Sequence, residues 1–153
     1  MPKSKSQQPT IQHAFWDASA IVPLCYYQVQ TVKARQAYRI FPDMVVWWST
    51  RVECASALYR LEREHELTGQ QAQQSSAALE KYRRLWDEIT PSDEVRTLAE
   101  NLLRKHQLRA ADSLQLAAAL VWCNSYPKGR AFVCDDNKLL AAAEKEGFNV
   151  IHV

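Results

Sequence analysis

The residues of this sequence best suited to chemistry are four carboxylates that stand where strand patterns end and helical patterns begin. Asp17 and Asp136 each follow a short apolar segment, while Glu53 and Asp112 lie at the start of two helical patterns. Carboxylate oxygens are hard ligands, of the kind that bind Mg²⁺ or Mn²⁺ in proteins. The four acids therefore indicate a metal site if the fold gathers them.

Each of these acids also has an alternative explanation as part of a helix cap. Asp17, Asp112 and Asp136 are suited to be the N-caps of the helices that follow them, since helix N-termini favour such residues. Thr50 and Glu53 match the capping-box pattern S/T-x-x-E. The sequence leaves both explanations open at each position.

Helical spacing favours a buried position for two of the acids. The residues four and eight positions after Glu53 and after Asp112 are alanine or leucine, and residues at these spacings share one helix face. A buried carboxylate without a partner is costly unless a cation offsets its charge. No Lys or His is adjacent to any of the four acids in the sequence, so the pattern predicts an acidic pocket that holds a metal ion.

The elements that must position these acids are five short strands separated by helices. Strand patterns cover residues 13–16, 44–48, 87–90, 131–134 and 149–153, and helical patterns cover 20–27, 32–40, 52–67, 70–85, 95–105, 113–122 and 138–146. This alternation predicts an α/β protein with a parallel sheet and helices on both faces. Ligands of such sheets bind beyond the carboxyl ends of the strands, where Asp17 and Asp136 lie.

Length and composition are those of one globular domain. The chain has 153 residues, 47% of them hydrophobic and 24% charged, with a net charge of +2. We expect residues 1–11 to form a disordered tail and residues 12–153 to form the domain. No apolar segment is long enough to span a membrane, and the start lacks the apolar region of a secretory signal, so we expect a cytoplasmic protein. The four cysteines form no C-x-x-C pair and are predicted to be buried free thiols.

Four motifs in order make the sequence similar to the PIN-domain nucleases, and especially to the VapC-type toxins. The first is the strand followed by DASA at residues 17–20, and the second is ECASAL at residues 53–58. The third, LRAADSLQLA at residues 108–117, resembles the signature L-R-x-x-D-[AS]-L-[HQ]-L-A. The fourth, FVCDDNKL at residues 132–139, resembles F-V-[TSC]-x-D-x-x-L. The similarity runs from about Phe15 to Val153.

The resemblance implies a three-layer α/β/α fold with a five-stranded, mainly parallel sheet in the order 3-2-1-4-5. It also implies a metal-dependent endoribonuclease whose catalytic acids are Asp17, Glu53, Asp112 and Asp136. Of these, Asp17, Asp112 and Asp136 would hold Mg²⁺ or Mn²⁺, and Asp135 is the alternative fourth acid beside Asp136. The expected products carry a 3′-hydroxyl and a 5′-phosphate.

Further expectations concern the substrate and the partners. Arg51 and Arg109 are candidates for phosphate contacts because each lies close in sequence to one of the acids; pairing with a neighbouring carboxylate or exposure to solvent is the alternative. Ser19 is a candidate to hydrogen-bond a ligand carboxylate or a metal-bound water, with a local helix-start contact as the alternative. The resemblance implies a cognate antitoxin and a homodimer. A stand-alone nuclease of RNA processing and a non-catalytic RNA-binding or interaction module of the same fold are the alternatives. Four of the five tryptophans, Trp47, Trp48, Trp86 and Trp122, are predicted to pack in the core rather than to stack on bases.

Overall fold

A computed structural model of the protein describes residues 12–153, so the predicted tail, residues 1–11, lies outside the described residues. The strands are β1 (His13–Trp16), β2 (Asp43–Trp47), β3 (Asp87–Ile89), β4 (Ala131–Cys134) and β5 (Asn149–His152). The helices are α1 (Ala18–Cys25), α2 (Thr31–Ile40), α3 (Thr50–Arg63), α4 (Gly69–Arg83), α5 (Asp93–Lys105), α6 (Ala110–Trp122) and α7 (Asn137–Glu146). Within residues 12–153, none of the helices combines the length and the apolar character needed to cross a bilayer.

The five strands form one sheet in the order β3-β2-β1-β4-β5, and every neighbouring pair is parallel. The predicted fold class and strand order are therefore confirmed. β1 and β4 are neighbours, with Phe15 paired to Phe132 and Trp16 paired to Val133. The strand order reverses between these two strands, so a ligand site is expected at their carboxyl ends.

The sheet is covered on both faces because its central strands alternate between two cores. In β1, Phe15 packs with residues of α5, α6 and α7, whereas Ala14 and Trp16 pack with residues of α1, α2, α3 and α4. Phe132 and Val133 of β4 divide between the same two cores. The result is a three-layer α/β/α structure whose middle strands are buried on both sides.

The start of α6 and the cap of α3 differ from the sequence predictions. α6 begins at Ala110, three residues before the predicted start, with Arg109 as its N-cap. Asp112 is therefore a residue of the first turn, and the alternative that it is an N-cap is wrong. The N-cap of α3 is Ser49, so the predicted capping box of Thr50 and Glu53 is also wrong.

The predicted packing of the tryptophans is correct for most of them and wrong for Trp48. Trp47 and Trp86 are buried, and Trp122 packs against a core from a half-buried position. Trp48 is 55% exposed because it follows the last residue of β2 and turns away from both cores. All four cysteines are free thiols; three are buried, and Cys25 is half-buried.

Candidate active site

One cavity at the carboxyl ends of β1 and β4 brings the predicted acids together. We call it the acid cavity; its volume is about 380 Å³. The acids that line it are Asp17, Glu53, Asp112, Asp135 and Asp136. Ala57 and Leu61 also line it, so the face of α3 inferred from the spacing after Glu53 does point into the site.

Asp17 reaches the acid cavity from the end of β1, where it is the N-cap of α1. Its backbone N–H donates to Val133 O at 3.0 Å, which continues the pairing of β1 with β4. Its Oδ2 accepts from Ser19 N at 3.0 Å and from Ser19 Oγ. The side chain is buried, with 6% of the residue exposed.

Burial makes the charge of Asp17 costly. Desolvation raises the pKa of the Asp17 carboxyl, and the charges of Glu53 and Asp136 raise it further, while the hydrogen bonds from Ser19 lower it. The charges of Glu53 and Asp136 act on Asp17 because the three carboxylates line the same cavity.

Asp136 and Asp135 follow β4 and have different surroundings. Asp136 is the N-cap of α7, and its Oδ1 accepts from Leu139 N at 2.8 Å. Asp135 accepts from Gln30 Nε2 at 3.1 Å through Oδ2, and its Oδ1 lies 3.4 Å from His152 Nε2. Both oxygens of Asp135 thus have polar neighbours on the protein, whereas Asp136 uses one oxygen as a cap.

Glu53 is held by two side chains that the sequence did not associate with it. Ser49 Oγ donates to Glu53 Oε1 at 2.7 Å, and Gln115 Nε2 donates to Glu53 Oε2 at 3.1 Å. Gln115 is 1% exposed and also donates to Thr50 Oγ1 at 3.2 Å. The side chain from α6 therefore fixes the first turn of α3 and its carboxylate.

Asp112 enters from the first turn of α6 and is half-buried. Desolvation raises the pKa of its carboxyl most, followed by the charges of Asp136 and Asp17, and the neighbouring Arg109 lowers it. Asp112, Asp135 and Asp136 also line a second space, the outer cavity, of about 660 Å³. The acid cavity and the outer cavity therefore adjoin along these three acids.

The structure separates the candidate substrate residues. Ser19 lies in the acid cavity, and Arg109 lies in the outer cavity. Arg51 is exposed and lines neither of them. Sequence reasoning missed two cations that do line them: Arg60 in the acid cavity and Lys138 in the outer cavity.

Helical periodicity in the sequence indicates one of the two missed cations, Arg60. Arg60 lies seven residues after Glu53, which is two helical turns and therefore the same face of α3. Lys138 lies two residues after Asp136, at the second position of α7. Sequence proximity to an acid selected Arg51, although helical periodicity favours Arg60.

The carboxylate oxygens around the acid cavity suit a hard divalent cation, although they do not lie close enough together to bind one as placed. Several carboxylates repel one another around a buried one, and among residues 12–153 Arg60 is the one cationic side chain that lines the acid cavity. In the part of the chain that the structure describes, no three His, Cys, Asp or Glu side chains converge closely enough to hold an ion as placed. Binding an ion therefore requires these side chains to move toward one another.

The chain thus has the architecture of a three-layer α/β/α protein with an acid-lined cavity where strand order reverses. A comparison with protein-family models found no match, and a comparison with curated proteins found none. Among solved structures, it resembles a toxin-antitoxin complex from Klebsiella pneumoniae, with a TM-score of 0.58 and 19% identity, covering 84% of this chain and 90% of that chain. It also resembles PAE2754 from Pyrobaculum aerophilum, with a TM-score of 0.58 and 20% identity, covering 94% of this chain and 93% of that chain. The shared property is the fold.

Proposed function

We propose that this protein is a metal-dependent endoribonuclease that acts as the toxin of a toxin–antitoxin pair. The proposal depends on one observation: four acids from four separate elements line one cavity, at the point where the strand order of the sheet reverses. These acids are Asp17, Glu53, Asp112 and Asp136. The fold shared with a protein of a toxin-antitoxin complex favours the toxin role over a stand-alone nuclease of RNA processing.

Under this proposal Asp17, Asp112 and Asp136 hold Mg²⁺ or Mn²⁺; Asp17 and Asp136 do so through the oxygen that is not used for helix capping. When bound, such an ion supplies positive charge that makes water a stronger acid and offsets the charge on a phosphate. Glu53 completes the site as a carboxylate whose orientation is fixed by Ser49 and Gln115.

The other side chains of the site position the acids and the substrate. Ser19 Oγ donates to Asp17 and accepts from Asp135 N at 2.9 Å, so it holds the ends of β1 and β4 together. Arg109 lies beside Asp112 and has N–H groups suited to a phosphate of the RNA. The reaction is hydrolysis of a phosphodiester bond, with a 3′-hydroxyl and a 5′-phosphate as the expected products.

The proposed partners follow from the toxin role. A cognate antitoxin restrains the enzyme, and the toxin itself is a homodimer. Growth arrest on induction, relieved by co-expression of the antitoxin, would separate this role from a nuclease of RNA processing. A non-catalytic RNA-binding module would give neither growth arrest nor cleavage.

The decisive experiment compares cleavage of RNA by the wild type and by the Asp17→Asn and Asp112→Asn variants, with Mn²⁺ and with EDTA. We expect cleavage only with the divalent ion and a rate loss of about 100-fold or more in each variant, because charge stabilisation by a metal amounts to several kcal/mol. Glu94→Gln is the matched control. Glu94 lies in the first turn of α5 but lines neither cavity, so its variant should cleave like the wild type.

The outcomes separate the alternatives. If the wild type shows no metal-dependent cleavage and both variants behave like it, the nuclease proposal is wrong. Titration of Mn²⁺ into Asp135→Asn and Asp136→Asn then identifies the ligand after β4. We expect weaker Mn²⁺ binding in Asp136→Asn, because Asp135 already contacts Gln30 and His152 through its two oxygens.

A further inference from the structure

Cationic side chains lie on both sides of the acids that the two cavities share. Arg60 lines the acid cavity and not the outer cavity, whereas Arg109 and Lys138 line the outer cavity and not the acid cavity. Asp112 and Asp136 lie between them, since they line both cavities. The charge pattern along the two cavities is therefore positive, negative, positive.

These three cations form no ion pair within the described residues, although the charge of Arg109 acts on the Asp112 carboxyl. Arg60, Arg109 and Lys138 are exposed, and no carboxylate of residues 12–153 lies within 4.0 Å of their side-chain nitrogens. Elsewhere on the surface, Arg83 and Arg96 do form ion pairs with acids of their own helices. The cations beside the two cavities are thus free to bind an anion from outside the chain.

The order of charges across the two adjoining cavities suits a single-stranded polynucleotide. A single strand bends at each nucleotide and can place successive phosphates in adjoining cavities, while its bases and sugars meet neutral polar groups. Gln28 in the acid cavity, and Gln107 and Asn137 in the outer cavity, provide such groups. A double helix is much stiffer than a single strand and adapts less readily to two adjoining cavities.

We propose that Arg60 on one side and Lys138 with Arg109 on the other bind the phosphates that flank the scissile one in single-stranded RNA. The inference rests on the proposed function, because it takes the shared acids to be the reaction centre. It adds Arg60 and Lys138 as substrate-binding residues and sets the path of the strand from α3, across the acids, to α7.

The test measures binding of a labelled single-stranded RNA of about 12 nucleotides by fluorescence anisotropy, in the presence of EDTA and in the Asp17→Asn background. Arg60→Gln and Lys138→Gln are each expected to weaken the affinity about 3- to 10-fold at low salt. Each should also lower the slope of log K against log salt by about 0.7, the value for one phosphate contact on a single strand. The double variant should lose about 1.4 from the slope.

The matched controls are Arg39→Gln and Lys128→Gln. Both residues are exposed and precede β2 and β4, at the opposite edge of the sheet from the acids. We expect the controls to retain both the affinity and the salt slope of the parent protein.

Several results would overturn the inference. One is an unchanged salt slope in Arg60→Gln or Lys138→Gln, and another is equally tight binding of duplex RNA. A third is binding of polyglutamate, but not RNA, through the same two residues, which would identify an acidic polypeptide as the ligand. If the wild type cleaves RNA with Mn²⁺ while both variants bind like the controls, this inference fails and the proposed function stands. If the protein neither binds nor cleaves RNA, both fail.

Discussion

A helix cap and a metal ligand require different atoms of the same carboxylate. Asp17 accepts the hydrogen bonds of its cap through Oδ2, and Asp136 does so through Oδ1. In the described residues the second oxygen of each side chain accepts no hydrogen bond. The two explanations that the sequence left open at these positions are therefore compatible, and capping orients each carboxylate at the edge of the acid cavity.

Gln115 is the residue whose role differs most from what its type suggests. It is buried in an apolar helix, where its amide joins Glu53 to Thr50, and its Oε1 has no hydrogen-bond partner among residues 12–153. The two hydrogen bonds that Nε2 donates therefore explain why this polar side chain lies in the core. Its position corresponds to [HQ] in the signature quoted above, and both residue types carry an N–H donor.

Replacing Gln115 should impair the site more than the fold. In Gln115→Leu, Glu53 loses one of its two donors, so we expect the Mn²⁺ concentration for half-maximal cleavage to rise about 10-fold. The free energy of unfolding should change by about 1 kcal/mol or less, because the substitution also removes an unpaired oxygen.

Gln115→His is the matched variant for this prediction, since its ring can donate to Glu53. It should restore most of the Mn²⁺ affinity, as measured by cleavage titrations and urea unfolding. A Gln115→Leu variant that needs no more Mn²⁺ than the wild type would exclude a positioning role.

At the scale of the elements, the sequence predicted strands and helices better than their ends. All five predicted strands and seven predicted helices occur, because short apolar runs and helical periodicity are local properties of the sequence. The start of α6 was missed because its N-cap, Arg109, makes no side-chain cap hydrogen bond and is not a residue type that signals a cap. Thr50 is buried within the first turn of α3 and accepts from Gln115, which lies 65 residues away, while Ser49 is the N-cap.

The contact between the ends of β1 and β4 likewise could not be predicted from local sequence patterns. Ser19 Oγ accepts from Asp135 N and donates to Asp17, and its partners lie 116 and 2 residues away. Only the strand order, implied by the resemblance, placed these segments side by side. The hydroxyl then satisfies a backbone N–H at the point where β4 ends.

Ser19→Ala should therefore destabilise the protein. It leaves Asp135 N–H without this acceptor, and we expect a loss of about 1–2 kcal/mol in the free energy of unfolding, measured in urea. Ser56→Ala, at an exposed position of α3, is the control and should change stability little. Equal stability of the two variants would show that the contact between the strand ends contributes nothing.

At the scale of the whole molecule, the strand order and the helix packing bring acids from distant sequence positions close together. Parallel pairing of β1 with β4 and the packing of α3 and α6 against opposite faces place Asp17, Glu53, Asp112 and Asp136 around one cavity. Strand ends and helix faces indicated an acidic pocket, and the strand order implied by the resemblance placed Asp17 beside Asp136. The choice of Arg51 was made from proximity in sequence, whereas the helix face shared with Glu53 favours Arg60, the residue that lines the cavity.

This concentration of charge should reduce stability when no metal is bound. The pKa of Asp17 is raised mainly by burial, so the folded state holds a proton more tightly than the unfolded state does. Stability without metal should therefore fall as pH rises from the ordinary pKa of Asp, about 3.9, through the higher pKa of the folded protein. Below that range the carboxyl is neutral in both states and the cost disappears.

Asp17→Asn removes the charge and keeps an oxygen that can accept from Ser19. In EDTA at neutral pH we expect its Tm to exceed that of the wild type by a few degrees, and the difference should vanish in acid. Saturating Mn²⁺ should raise the Tm of the wild type, since an ion at 100 times its Kd stabilises by about 2.7 kcal/mol, and should raise that of the variant much less. Glu94→Gln should show neither the gain in EDTA nor a weaker response to Mn²⁺. If Asp17→Asn were less stable than the wild type in EDTA at every pH, the carboxylate would serve as a cap alone, and the electrostatic cost that an ion is proposed to relieve would not exist.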